Sequence, residues 1–130
     1  MYALNYSSWG RVVSEVDEAI ALAEVEVKSP AAMRRRDACD KAFLAVIKAV
    51  DELLVKHGYP EPERHGERFA YLRELESKVL EIGKAELSEK LGARFGKAHV
   101  ACFYDGKTEL AEEEVEKARQ LIEEIRKFLK

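Results

Sequence analysis

The chain has 130 residues, with 22 Lys and Arg against 25 Asp and Glu, and 47% of it is hydrophobic. That length predicts one domain over residues 1–130, able to bury about two-thirds of its unfolded surface without needing a metal or a disulfide. A net charge of −3 argues against a non-specific nucleic-acid coater, since counterion release needs a broad Lys and Arg excess, but leaves room for a small basic cleft.

Ser7 and Ser8 are candidate caps of a first helix from about Ser8 to Lys28, with Trp9, Val12, Val13, Val16, Ile20, Ala23 and Val27 at helical spacing. Ser29-Pro30 interrupts the pattern, and Pro30 suits the first position of the next helix. That second helix, about Ala31 to His57, carries Cys39, Ala42, Phe43, Val46, Ile47, Val50, Leu53 and Leu54 on its apolar face and stops at Gly58. A Gly- and Pro-containing loop runs to Gly66. A third helix starts near Glu67, with Phe69, Leu72, Leu75, Val79, Leu80 and Ile82 inward and a break expected at Gly83. A fourth places Leu87, Leu91, Phe95, Ala98 and Cys102 on one stripe. Asp105-Gly106-Lys107 reads as a turn. Thr108, with Glu112 downstream, loosely caps a last helix whose seam is Val115, Ala118, Ile122, Ile125 and Leu129. The fold class is all-α: an up-and-down bundle of four helices, or five if Gly83 separates the third and fourth.

No apolar run approaches the ~20 residues that cross a bilayer, and no secretory signal pattern is visible, so a cytoplasmic protein without membrane contact is expected. Cys39 and Cys102 fit no zinc or redox spacing and read as buried free thiols in a reducing cytosol. No His has Glu three residues before it, so a di-iron bundle is not indicated; phosphate-binding Gly loops and a nucleophile elbow are also missing. The many Glu residues, among them Glu112, Glu113, Glu114, Glu116, Glu123 and Glu124, read as solvated faces.

One segment stands out: Arg94-Phe-Gly-Lys-Ala-His99. A histidine titrates near neutral pH and can move a 2′-OH or leaving-group proton. An arginine can fork two donors onto phosphate. On a regular helix two residues five apart diverge by about 140° and rise about 7.5 Å, so a break at Gly96 or a second subunit would be needed for both to reach one phosphate. Arg34-Arg35-Arg36 opens the second helix against the macrodipole; its members cannot share one face, so at least one should reach an anion or an acidic partner, unless all are solvated or paired with local Glu. His65 either caps the third helix or joins a cleft. His57 suits a helix C-terminus.

Together these segments resemble the HEPN superfamily of small helical bundles with a late Arg-x4–6-His motif. Ala42-Phe43 through Leu53-Leu54, Gly58 and His65 look like its long second helix, loop and next helix start; Arg94 and His99 match the motif; Phe103-Tyr104-Asp105-Gly106 and the helix after it look like its closing step. Ala98 to Gly106 is especially similar to the archaeal PaREP-type branch. The resemblance implies a dimerising α bundle. Many relatives are metal-independent endoribonucleases, some acting as toxins beside a nucleotidyltransferase-type antitoxin, and others are non-catalytic nucleotide or RNA binders. Active members usually carry a polar residue after the arginine, where this chain has Phe95. The expected site therefore has Arg94 and His99 as catalytic residues, Tyr104, Lys97, His65, Arg34, Arg35 and Arg36 as substrate contacts, and no metal or cofactor. Its expected partners are a second copy, RNA or a nucleotide. The alternatives are a non-catalytic nucleotide- or RNA-binding module and a protein–protein interaction subunit.

Overall fold

The computed structural model describes residues 14–130. They are helical, with no strand among the described residues. The elements are α1 (Glu15–Glu26), α2 (Ala32–Lys56), α3 (His65–Lys78), α4 (Leu80–Ala85), α5 (Leu87–Arg94), a π-helix (Phe95–Tyr104), a short 3₁₀ turn (Thr108–Leu110) and α6 (Ala111–Lys127). No described helix is long and apolar enough to cross a membrane.

The helix α2 is the central strut. It packs against α1, α6, the π-helix and α3. Ala38, Ala42, Ala45 and Ala49 are fully buried along it, small side chains that fit where helices press from several sides. Val46, Val50, Leu53 and Leu54 extend the same buried surface, joined by Val16, Leu72, Ile82, Leu87, Leu91 and Ile125 from the other elements. Each large aliphatic group removed from water there contributes roughly 1.5–3 kcal/mol.

The helix ends follow local chemistry. Ser14 caps α1: its Oγ accepts from the Asp17 N–H at 3.1 Å, and Glu15, Asp17 and Glu18 suit the positive end of the dipole. The expected caps Ser7 and Ser8, and the apolar residues Trp9, Val12 and Val13, lie outside the described residues. Pro30 does not open α2; it precedes Ala31, the N-cap, which has extended backbone. At the other end His57 sets Nδ1 3.0 Å from the Leu53 carbonyl, and Gly58 at φ +91° turns the chain away.

Three expectations about the middle of the chain are corrected. α3 begins at His65, two residues earlier than expected. The break falls at Val79, in extended conformation, and again at Glu86, which sits at φ +53°, while Gly83 lies inside α4. Gly83 is needed for space: a Cβ there would stand 2.6 Å from the Glu76 carbonyl oxygen. The break at Val79 also changes the register, so Leu80, expected in the core, is 70% exposed.

Candidate functional site

The segment from Phe95 to Tyr104 keeps the helix direction but widens it. Hydrogen bonds of the i→i−5 type replace i→i−4, as in Asp105 N–H to Val100 O at 2.8 Å. The expected break at Gly96 is thus a change of helix type at Phe95. Gly106 at φ +76° ends it, and the Lys107 N–H closes back on the Ala101 carbonyl at 2.9 Å.

Cys39 and Cys102 are not free thiols. They form a disulfide between α2 and the π-helix, with Cα atoms 6.2 Å apart, inside the span such a bond accepts. Both side chains are fully buried. The bond ties the helices where Asp40, next to Cys39, meets His99, three residues before Cys102.

Here the structure builds an aromatic box. The His99 ring lies nearly parallel to Phe43 and to Phe103, with centroids 5.4 and 5.9 Å away. Phe95 lies 5.5 Å from it and Tyr104 meets it edge-on at 5.5 Å. His99 Nδ1 is 2.9 Å from Asp40 Oδ1. A carboxylate only accepts, so Nδ1 carries a proton, and in the neutral ring the lone pair is on Nε2. Nε2 has no protein hydrogen bond among the described residues, and the side chain is 25% exposed. Tyr104 is 66% exposed beside it.

His65, the first residue of α3, shares the box. Its ring is 5.3 Å from Phe95, 5.9 Å from Phe43 and 6.3 Å from His99. Behind it, Arg68 and Asp51 form a buried two-pronged pair: Nε to Oδ1 at 2.6 Å and Nη2 to Oδ2 at 3.0 Å. Arg68 also donates from Nη1 to His65 Nδ1 at 3.1 Å. Burial first, then the charge of Arg68 and the neighbouring His99, holds His65 below the usual histidine range.

Arg94 faces elsewhere. It is 8% exposed, with Nε 2.9 Å from Oε1 of Glu114 on α6. The contact is ionic, because neither atom has a well-aligned hydrogen-bond partner. Glu114 is 1% exposed, which corrects its reading as part of a solvated face. Burial pushes its carboxyl above the ordinary range, against the opposing charges of Arg94, Lys117 and Lys97. Within one chain, then, Arg94 and His99 engage different helices. Lys97 is exposed between them.

The arginine triplet divides. Arg35 donates to the Val27 carbonyl at 2.8 Å and the Thr108 carbonyl at 3.0 Å, and pairs with Glu112. Arg36 donates from Nε to the Phe103 carbonyl and from Nη2 to the Tyr104 carbonyl, each at 2.7 Å. The Val27, Phe103 and Tyr104 carbonyls lie at the C-terminal ends of α1 and the π-helix, where positive charge is favoured, while the Thr108 carbonyl opens the 3₁₀ turn. Arg34 alone of the three is exposed and has no hydrogen bond or ion pair among the described residues.

Sequence reasoning missed Asp40, Asp51 and Arg68. An acid one residue from an apolar-face cysteine is the only signal that could have drawn attention to Asp40. Comparison of the chain with protein families, with curated proteins and with solved structures finds no match.

Proposed function

We propose that the chain is a HEPN-type, metal-independent endoribonuclease that cleaves RNA at His99. The observation that carries this reading is the Asp40–His99 pair: an imidazole clamped between Phe43 and Phe103, its Nδ1 proton held by a carboxylate and its Nε2 open. In the proposed reaction Nε2 takes the 2′-OH proton, O2′ attacks the adjacent phosphorus, and the P–O5′ bond breaks. The imidazolium then returns the proton to O5′, leaving a 2′,3′-cyclic phosphate and a 5′-OH. Tyr104 offers an exposed ring on which a base can stack, and Lys97 and Arg34, both exposed, supply positive charge for the backbone. The motif arginine, engaged by Glu114, acts here as a positioning residue that anchors the start of the π-helix. The reading includes a homodimer, with an antitoxin of nucleotidyltransferase type as the kind of partner such a nuclease would need.

A second reading, a non-catalytic RNA- or nucleotide-binding module, is favoured by one observation. The position after the motif arginine is Phe95, which packs on both His65 and His99 instead of presenting a polar group. RNA incubated with the protein in EDTA discriminates. The nuclease reading expects cyclic-phosphate ends, and no cut where a single 2′-deoxynucleotide replaces the scissile ribose. Retention of intact RNA on the protein, without cleavage, would support the module.

A further inference from the structure

The two histidines of the box are held in opposite tautomers. Arg68 carries only donors, so His65 Nδ1 at 3.1 Å must present its lone pair, and the ring proton lies on Nε2. Arg68 cannot easily turn away, because Asp51 grips it by two further hydrogen bonds in a buried position. His99 is set the other way by Asp40, with the proton on Nδ1 and the lone pair on Nε2. One ring thus offers an acceptor and the other a donor, with centroids 6.3 Å apart and Phe43 and Phe95 touching both.

We infer that His65, as a neutral imidazole, donates its Nε2–H to a non-bridging phosphoryl oxygen of the RNA bound at His99, and so stabilises the charge that develops when O2′ attacks. This rests on the nuclease reading above and assigns it a further catalytic residue. A phosphodiester under attack needs a base on one side and a fixed donor on the other. A neutral donor does not release its proton, so proton transfer stays with His99 alone and the balance of the reaction is unchanged. The charged and titratable groups acting on His65 are Arg68 on its own helix, Asp51 on α2 and His99 on the π-helix. Partial desolvation and Arg68 favour the neutral ring, His65 is exposed, and its Nε2 has no hydrogen-bond partner among the described residues.

The test compares RNA cleavage by wild type, His65→Ala and His65→Gln, with folding checked by circular dichroism. His65→Ala should lose about 10²–10³-fold in kcat/KM, and His65→Gln, whose amide can still donate, should recover part of it. The wild-type profile of kcat/KM should carry no descending limb at alkaline pH that depends on His65. Undiminished cleavage by His65→Ala, beside an active wild type, overturns the donor role and leaves the nuclease reading standing. A descending limb that vanishes in His65→Ala would mean that His65 acts as an imidazolium, and also overturns it. An inert wild type overturns both. A ¹⁵N-edited spectrum gives a readout besides activity: the protonated ring nitrogen of His65 must be Nε2, and a proton on Nδ1 refutes the inference.

Discussion

Opening the Cys39–Cys102 bond removes a cross-link that closes a loop of 63 residues in sequence separation. In the chain-entropy account, a loop of that size restricts the unfolded ensemble by about 14 cal/mol/K, or about 4 kcal/mol at 25 °C. That is a large fraction of the total stability expected of such a domain. Spread over the unfolding entropy of a chain this long, it lowers Tm by about 12–16 °C. Both sulfurs are buried, so reductant added to the folded protein should act slowly; the reduced form is best made by refolding under reductant. Scanning calorimetry on oxidised protein, reduced protein and Cys39→Ala supplies the comparison, and the reduced and Cys39→Ala forms should agree within a few degrees. Two alkylatable thiols in the natively purified, unreduced chain, or equal midpoints for oxidised and reduced forms, would refute the reasoning.

Three other perturbations follow from buried charge and backbone strain. Arg68→Ala leaves Asp51 buried without its partner and should cost about 3–5 kcal/mol in denaturant unfolding; a loss under 1 kcal/mol would show that water reaches Asp51. Arg94→Ala should cost a similar amount at pH 7, where it strands the Glu114 carboxylate, and less at pH 5. The sign follows from the raised Glu114 carboxyl: the fold favours its protonated form, so lowering the pH toward the ordinary carboxylate range removes the stranded charge. A loss that does not vary with pH would contradict that account. Glu86→Gly relieves a left-handed residue at φ +53° and should raise stability by about 0.5–1 kcal/mol, a few degrees in Tm; an unchanged or lower midpoint would mean that the strain is offset elsewhere.

Much of the fold is legible in the sequence where apolar residues keep one period. Val16, Ile20, Ala23 and Val27, the α2 face from Cys39 to Leu54, and the last seam from Val115 to Leu129 read inward and are buried, except Ile47 and Leu129, which are half-buried. The period carries no information where the helix changes kind. A stripe read at 3.6 residues per turn places Leu87 to Cys102 in the core, yet does not reveal the wider turn that begins at Phe95. Charge misleads in the same way. Glu114, Asp51 and Arg68 look solvated by type, and only the approach of another helix shows them paired and buried. The disulfide and the Asp40–His99 pair join residues 63 and 59 positions apart. A motif can point to His99, but the carboxylate that orients it becomes visible only once α2 lies against the π-helix. Arg35 and Arg36 look like an anion patch because the carbonyls they cap belong to other elements.

The most direct test of the account is cleavage of single-stranded RNA in EDTA by wild type, His99→Ala and Asp40→Asn, each confirmed as folded. The account predicts metal-independent cleavage by wild type, at least about a hundredfold loss in His99→Ala, and a smaller but clear loss in Asp40→Asn, which mis-sets the imidazole proton without removing the base. Cleavage that survives in His99→Ala would contradict it.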